Sequence, residues 1–193
     1  MFADVLTTLR RTPGLDEVAV VTADRAAESA AAGRGVHVLR DTAQAGQSEA
    51  ALIGIRHAIS QGYERAALVP GDTPLIQPAE LGALIAGARG VVIVPDRHGT
   101  GTNGLVLSPP DAIDPSFGPD SLARHVAAAE AAGVEHRVQE LPTLALDVDT
   151  PADLAELTAE LGVRRGQAPS TRGALRQLDR AGAATAHAAR ASA

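Results

Sequence analysis

The stretch Ala66-Ala-Leu-Val-Pro-Gly-Asp-Thr-Pro-Leu-Ile76 decides the fold class of this 193-residue chain. Its first four residues form a short apolar run, which is typical of a buried strand. A turn held rigid by two prolines follows, and Pro78 then begins a helix at a position that favours proline. Open α/β sheets bind ligands at the carboxyl ends of their strands, so Asp72 is a candidate site residue. An Asp turn or a helix cap explains this carboxylate equally well.

The same alternation of short apolar runs with alanine-rich helical segments extends in both directions along the chain. Strands are predicted over residues 18–22, 36–39, 66–69, 90–94, 104–107, 136–139 and 144–148. Helices are predicted over residues 2–11, 48–60, 120–132 and 151–162, and two more helices are predicted to begin at residues 25 and 78. The run at 104–107 is suited to pairing with 90–94. The alternation predicts an α/β fold, with a mostly parallel sheet and helices on both of its faces.

The two ends of the chain depart from this pattern. An α/β domain normally begins with a strand that carries a ligand loop, whereas a helix from residue 2 comes first here. Either the fold starts unusually, or the first strand and its loop are absent. From Arg164 onward the apolar period is lost, and arginine, glycine and alanine dominate. We therefore expect a domain over residues 1–162 and a basic, mostly disordered tail over 163–193, with a transient helix near 173–180.

Composition excludes several classes of function. No apolar run approaches the roughly 18 residues of a membrane span and no signal sequence is recognisable, so we expect a cytoplasmic protein without a membrane partner. The absence of cysteine excludes disulfides, thiolate catalysis and cysteine-ligated zinc. All 17 basic residues are arginine, against 23 acidic residues. With a net charge of −6 and 2% aromatic residues, the chain lacks the basic face and stacking platforms of a nucleic-acid binder.

A second candidate site is the run Leu146-Asp-Val-Asp149, which reads as a strand end. Alternate side chains of a strand share a face, so Asp147 and Asp149 are expected to point the same way. Two carboxylates on one face repel each other unless water or a cation lies between them, and magnesium suits such a pair. Taken alone, Asp149 is also explained as part of the cap of the following helix. Together with Asp72, the two carboxylates predict one magnesium site where acidic strand ends meet.

The loop Asp96-Arg-His-Gly-Thr-Gly-Thr-Asn103 is a candidate anion site. Its alternating glycine and threonine residues expose backbone N–H groups and hydroxyls, including that of Thr102, which suit a phosphate or a carboxylate. Arg97 adds a bidentate donor for the same kind of group. A flexible surface loop is the simpler alternative.

A second anion-receptive turn lies in Phe117-Gly-Pro-Asp-Ser121. It places Gly118 and Ser121 at the N-terminus of a helix, where unpaired backbone N–H groups favour negative charge, and Arg124 follows one turn later. Capping of the helix by Ser121 is the alternative. Two such loops close together in sequence predict that one small phosphorylated acid is held between them.

Two further polar residues are candidates for contact with a nucleotide. Ser48 begins the helix that follows Gly46, and Asp24 follows the first visible strand. Each of them also has the position of an ordinary helix N-cap, so neither is specific when taken alone.

Taken together, these segments resemble the guanylyltransferases of 2-phospho-L-lactate and phosphoenolpyruvate, which act in the biosynthesis of coenzyme F-420. The resemblance covers about residues 1–160 and is most specific in the GTGTN loop and the FGPDS turn. Its parts are Val21-Thr-Ala-Asp24, Gly46-Gln-Ser48, Gly71-Asp-Thr-Pro-Leu-Ile76, Asp96–Asn103, Ser116–Ser121 with Arg124-His125, and Leu146–Pro151.

The resemblance implies a Rossmann-like nucleotidyltransferase fold and an enzyme that transfers GMP from GTP to phosphoenolpyruvate or 2-phospholactate and releases pyrophosphate. It also implies a set of roles: Asp72, Asp147 and Asp149 hold magnesium, Thr102, Gly118 and Ser121 bind the phosphorylated three-carbon acid, and Asp24 and Ser48 lie near the nucleotide. Members of the family begin with a strand and a loop containing glycine and lysine that contacts the nucleotide phosphates. This sequence has no lysine and begins with a helix, so we expect the first strand and its GTP-binding loop to be missing.

Two other functions stay open at this point. Another nucleotidyltransferase, of the molybdopterin or sugar-phosphate type, would use the same carboxylates but gives no reason for the GTGTN and FGPDS loops to occur together. An inactive domain that binds a phosphorylated acid would keep the acid pocket and lack the nucleotide site. The complete set of three aspartates argues against this second alternative.

Overall fold

A computed structural model describes the backbone of residues 1–191 and the side chains of residues 1–181. The helices are α1 (Phe2–Leu9), α2 (Arg25–Ala31), α3 (Gln47–Ser60), α4 (Pro78–Ala86), α5 (Ser121–Ala131), α6 (Pro151–Val163) and α7 (Pro169–Ala191). The strands are β1 (Ala19–Thr22), β2 (His37–Arg40), β3 (Ala66–Leu68), β4 (Gly90–Pro95), β5 (Thr102–Ser108) and β6 (His136–Val138). Within the described part of the chain, no helix has the length and apolar character that crossing a membrane requires.

The strands form two sheets that confirm the predicted α/β class, and most strands of each sheet run in the same direction. Strands β1 and β2 pair in parallel, and the larger sheet has the order β3-β5-β4-β6. In the larger sheet β4 and β6 are parallel, but β5 is antiparallel to both β3 and β4. The loop 96–101 between β4 and β5 is shorter than the dozen or so residues that a parallel crossover needs, so these two strands form a hairpin.

The apolar side chains of the larger sheet alternate between its two faces, as the pleat of a strand requires. On one face Val92, Val94 and Val106 pack with residues of α4. On the other face Val91, Ile93, Leu105 and Leu107 pack with residues of α3 and α5. Helices therefore cover both faces of the sheet, as the sequence predicts.

Helix α3 connects the two sheets. Its Ile55 is buried in the core of the larger sheet, while a Cβ atom at Gly54 would lie 3.6 Å from the side chain of Val21 in β1. The described residues show no backbone pairing between β1 and β3, so contacts made by helices join the two sheets.

The predicted strand at 144–148 does not form. The backbone N–H groups of Leu144 and Ala145 bond to the carbonyl of Leu141 in a turn, and their own carbonyls accept from the side-chain amide of Asn103. The polar backbone groups of this segment therefore find partners outside a strand ladder.

The segment expected to be a disordered tail from residue 163 includes the helix α7, whose Thr171 is buried. The carboxylate of Asp4 in α1 accepts hydrogen bonds from the N–H groups of Ser170 (3.0 Å) and Thr171 (2.7 Å) and from the hydroxyl of Thr171. Burial raises the pKa of Asp4, but these hydrogen bonds outweigh burial and hold it below its usual value. Ala168 is also buried in an apolar cluster. Local sequence pattern does not reveal this contact, because Asp4 lies at the other end of the chain from α7. The last two residues of the expected tail, 192 and 193, lie outside the described residues.

Candidate functional site

One edge of the larger sheet gathers most of the candidate residues. Because β5 is antiparallel to both β3 and β4, those two strands run in the same direction and end at the same edge, where β5 begins. Asp72 follows β3, the loop 96–101 follows β4, and Thr102 is the first residue of β5. This is the edge at which α/β proteins bind ligands.

The structure places the carboxylates of Asp147 and Asp149 within electrostatic reach of Asp72. Burial raises the pKa of Asp72 above its usual value, and the negative charges of Asp147 and Asp149 raise it further. Oδ1 of Asp72 is buried, and it has no hydrogen-bond partner among the described residues. A buried acceptor in the field of two further carboxylates lacks a positive partner, which a divalent cation would supply. Oxygen donors of this kind fit magnesium or manganese.

Apolar contacts fix the segment that carries Asp147 and Asp149. Leu146 is buried with Leu75 and Leu157, and Val148 packs against the same cluster. The helix that follows is capped by Thr150 and Asp153 in a reciprocal capping box. The carboxylate of Asp149 therefore takes no part in the cap of α6. The alternative explanation of Asp149 as a capping residue does not hold.

Thr102 is held in place by a buried histidine. The Oγ1 atom of Thr102 lies 3.0 Å from Nδ1 of His125, and Nε2 of His125 accepts a hydrogen bond of 2.8 Å from the backbone N–H of Ser116. Burial lowers the pKa of His125 to about 4, helped by the charge of Arg124. The imidazole is therefore neutral, and because Nε2 accepts, Nδ1 carries the proton and donates it to Thr102. This arrangement leaves the hydroxyl hydrogen of Thr102 to donate to an anion.

The turn containing Gly118 is shaped by Arg124. The guanidinium of Arg124 donates to the carbonyls of Ser116 (2.9 Å) and Phe117 (3.0 Å), to the hydroxyl of Ser116 and to the carbonyl of Pro119. Gly118 has a φ of +104°, a conformation that favours glycine. Ser121, the first residue of α5, is 1% exposed. Arg124 therefore organises the backbone that surrounds the candidate anion site.

The loop 96–101 is ordered by Asp96. Its Oδ1 accepts from the backbone N–H groups of His98 (3.1 Å) and Thr100 (3.0 Å). The neighbouring Arg97, expected to bind an anion, forms ion pairs with Asp153 and Glu156 of α6. Its side chain therefore joins the loop to α6.

Ser48 and Asp24 have different surroundings. The hydroxyl oxygen of Ser48 accepts a hydrogen bond of 2.9 Å from the backbone N–H of Phe117, so the start of α3 contacts the turn that carries Gly118. The N-cap of α3 is Gly46, and it makes no side-chain cap bond. Asp24 caps α2 through its carboxylate, which accepts from the N–H groups of Ala26 and Ala27. The capping alternative holds for Asp24, while Ser48 belongs to the candidate site.

The sequence pattern does not predict which residues position the loops at this edge. In the sequence, His125 is a histidine near a candidate loop, and the spacing Ser116…Arg124-His125 is the one feature that points to its role. Its meaning depends on α5 folding back onto its own N-terminal turn, where the two side chains bind the backbone eight and nine residues earlier.

Comparison with solved structures identifies the fold. A putative nucleotide-diphospho-sugar transferase from Desulfovibrio desulfuricans G20 superposes with a TM-score of 0.68 at 21% identity, over 91% of this chain and 79% of that chain. CMP:2-keto-3-deoxy-manno-octonic acid synthetase, solved with CTP, gives a TM-score of 0.61 at 15% identity, over 83% of this chain and 87% of that one. Rv0371c of Mycobacterium tuberculosis H37Rv, solved with manganese, gives 0.54 at 20% identity, over 81% and 84%. The chain therefore shares the fold of these proteins.

Sequence comparison identifies the family. A sequence model of the family described as "Guanylyl transferase CofC like" matches residues 1–181. The phosphoenolpyruvate guanylyltransferase of Conexibacter woesei is 52% identical over 182 residues, which are 92% of this chain and 82% of that protein. The phosphoenolpyruvate guanylyltransferase of Sphaerobacter thermophilus is 40% identical over 161 residues, 82% of this chain and 77% of that protein. The chain belongs to the guanylyl transferase CofC-like family, which confirms the resemblance drawn from its motifs.

Proposed function

We propose that the protein is a magnesium-dependent enzyme that transfers GMP from GTP to phosphoenolpyruvate in the cytoplasm, as a step of coenzyme F-420 biosynthesis. 2-Phospholactate is the second candidate acceptor. The observation that carries the proposal is the buried, unpartnered Oδ1 of Asp72, within electrostatic reach of Asp147 and Asp149 at the edge that also holds two ordered anion-receptive loops. The names of the relatives support phosphoenolpyruvate as the acceptor.

The reaction is a phosphoryl-group transfer in which the bonds balance without a protein nucleophile. A phosphate oxygen of the acceptor forms a bond to the α-phosphorus of GTP. The bond from that phosphorus to the oxygen bridging to the β-phosphate breaks, and pyrophosphate leaves with the electron pair. Positioning of the two phosphates and neutralisation of their charge therefore carry the catalysis.

Asp72, Asp147 and Asp149 are the residues that would hold the divalent cation. Once bound, the cation neutralises negative charge on the nucleotide phosphates. The carboxylate of Asp72 would contribute a donor atom that no hydrogen bond occupies, because Oδ1 has no partner among the described residues. Two more carboxylates within electrostatic reach favour a cation over water at this position.

Thr102, Gly118 and Ser121 are the proposed binding residues for the phosphorylated acid. Since His125 Nδ1–H donates to Thr102, the hydroxyl of Thr102 is directed to donate to a phosphate or carboxylate oxygen. Gly118 and Ser121 surround the N-terminus of α5, where backbone N–H groups favour an anion. The hydrogen bond between Leu122 N–H and the carbonyl of Thr100 holds the two loops next to each other.

Ser48 and Asp24 are proposed to lie near the nucleotide. The Ser48 hydroxyl accepts from Phe117 N–H, so its own hydrogen is available to a phosphate or a base. The carboxylate of Asp24 accepts hydrogen bonds from the first N–H groups of α2, so a contact between Asp24 and the nucleotide has to form while these bonds remain.

A pyrophosphate-release assay with wild type and Thr102→Val tests the proposal. With GTP and magnesium, we expect turnover with phosphoenolpyruvate and weaker or no turnover with 2-phospholactate. Val keeps the shape of Thr but removes the hydroxyl, so the KM for the acceptor should rise about 10-fold with little change in the KM for GTP. Thr158→Val, on the exposed face of α6, is the matched control.

The same assay separates the two alternatives. Turnover only with CTP or ATP, or only with a sugar phosphate, contradicts the guanylyltransferase assignment in favour of another nucleotidyltransferase. Tight binding of phosphoenolpyruvate without turnover under any nucleotide contradicts the enzyme and supports a domain that binds a phosphorylated acid.

A further inference from the structure

Three metal-ligating side chains meet at the end of the molecule opposite the candidate active site. Glu17 lies two residues before β1, His37 is the first residue of β2, and His57 lies in the last turn of α3. Nε2 of His57 lies 2.6 Å and Nδ1 of His37 lies 4.0 Å from Oε1 of Glu17. One ligand atom from each of the three residues lies within 4.8 Å of the other two.

We propose that Glu17, His37 and His57 form a binding site for a divalent first-row transition-metal ion of the Zn²⁺ class, with solvent completing the coordination. Two imidazoles and one carboxylate are donors that suit zinc, whereas magnesium takes oxygen ligands. Ligand atoms of a tetrahedral zinc site lie roughly 3.4 Å apart, given metal–ligand bonds of about 2.0–2.1 Å. The separations of 2.6 and 4.0 Å lie on either side of that value, so movements of about 1 Å would assemble the site.

A neighbouring tyrosine orients the carboxylate. The hydroxyl of Tyr63 donates a 3.0 Å hydrogen bond to Oε2 of Glu17, which leaves Oε1 directed at the two histidines. An outer hydrogen bond of this kind orients a metal ligand. Burial raises the pKa of Glu17, but hydrogen bonds from His57 and Tyr63 outweigh burial and hold it below its usual value. The carboxylate is therefore charged at neutral pH, as a metal ligand has to be.

The three residues also leave a path for an ion to enter. The side chain of His57 is 15% exposed and that of Glu17 is 27% exposed, whereas that of His37 is 52% exposed. The rings of His37 and His57 have centroids 4.8 Å apart, so both reach the same opening. Without a metal, the Nε2–H group of His57 donates to Glu17; binding of the ion displaces that proton.

The site would join elements that the sheets do not join. Among the described residues, β1 and β2 are hydrogen-bonded as a separate two-stranded sheet, and α3 also packs on the larger sheet. An ion held by the loop before β1, by β2 and by α3 would therefore fasten the small sheet to the helix that covers the large one. Its predicted role is structural, since the opposite end of α3 carries Ser48.

Two measurements on the untagged protein test the site without reference to activity. Calorimetry measures zinc binding, and thermal unfolding measures the Tm with and without zinc. We expect one equivalent of Zn²⁺ to bind wild type and to raise its Tm, and Co²⁺ to give the visible absorption bands of a site with nitrogen and oxygen ligands. His37→Gln should weaken zinc binding about 10- to 100-fold, and His37→Gln with His57→Gln should abolish it. His37 is the more exposed histidine, so the single variant is the one least expected to disturb folding.

Two controls keep the test specific. His136→Gln, a histidine of β6 outside the cluster, should bind zinc as wild type does. Asp147→Asn should also bind zinc as wild type does, which separates this site from the proposed magnesium site. If wild type binds no zinc at micromolar concentrations, or if the folded double variant binds as tightly as wild type, the proposal is overturned and the residues form only an ion pair between β1 and α3.

Discussion

The two halves of the candidate site differ in what they need from a ligand. The loops around Gly118 and Thr102 are already ordered, because Arg124 and His125 satisfy the polar groups that shape them. The trio Asp72, Asp147 and Asp149 lacks a positive partner. Burial and the charges of Asp147 and Asp149 raise the pKa of Asp72, and Oδ1 of Asp72 has no hydrogen-bond partner among the described residues. The proposed anion site is thus ordered without a ligand, whereas we expect the acidic trio to be stabilised by a cation.

The largest expected effect comes from removing a charge of the acidic trio. We expect Asp147→Asn to lower kcat/KM by about 10³-fold, because cation binding and charge neutralisation of the phosphates both depend on this carboxylate. The fold should be retained, since the change removes a repulsion rather than a buried hydrogen bond. Pyrophosphate release and circular dichroism measure the two effects.

Asp111→Asn is the matched control for that variant, because Asp111 is exposed in a turn after β5. Its activity should equal that of wild type. Full activity of Asp147→Asn at limiting magnesium would remove the trio from the proposed mechanism.

The ordered half of the site should respond to acid through His125. Its folded pKa is about 4, below the ordinary value of 6.5, so the unfolded chain binds the proton first as the pH falls. Stability is therefore fully present above pH 6.5 and is lost as the pH falls towards 4, by about 3 kcal/mol over that window. Denaturant unfolding of wild type and His125→Gln at several pH values measures the slope, which should be smaller in the variant.

His136→Gln is the control for the pH experiment, since this histidine has another environment at β6. An unchanged pH slope in His125→Gln would mean that His125 is not held neutral by burial, and the assignment of its Nδ1 proton to Thr102 would fall with it.

A smaller effect is expected where Arg124 shapes the turn around Gly118. Lysine keeps the charge but has one nitrogen in place of the three that bind Ser116, Phe117 and Pro119, so Arg124→Lys should raise the KM for the acceptor about 10-fold, equivalent to about 1.4 kcal/mol. The KM for GTP should change less. Arg165→Lys, an exposed arginine after α6, is the control. Equal increases in both KM values would show that the turn does not belong to the acid pocket alone.

The sequence predicts the parts of this site that depend on local pattern. The alternation of strands and helices places Asp72 and the loop 96–101 at one sheet edge, and the run Leu146-Asp-Val-Asp149 separates apolar from acidic side chains even without a strand there. These features follow from side-chain periodicity within a few residues.

The features that the sequence does not predict depend on contacts between distant residues. Arg97 is expected to be an anion donor, but carboxylates of α6 bind its guanidinium group. The sequence gives no sign that Arg124 binds the carbonyls of the turn before its own helix. The strand expected at 144–148 is replaced because Asn103 binds its carbonyls, and α7 docks because Asp4 caps it from the first helix. No periodicity encodes which of several polar partners a long side chain reaches.

The smallest effect predicted here, on stability alone, is the most direct test of the difference between the two halves. In metal-free protein at neutral pH, Asp72→Asn should increase the free energy of unfolding by about 1 kcal/mol. The change removes a buried charge that lies within electrostatic reach of the charges of Asp147 and Asp149. Saturating magnesium should stabilise wild type, since a ligand that binds only the folded state raises its Tm, and should leave the variant nearly unchanged. Asp111→Asn should show the stability and the magnesium response of wild type. A metal-free Asp72→Asn less stable than wild type would mean that the carboxylate has a favourable partner in the fold, and that the acidic half, like the anion half, is complete before any ligand binds.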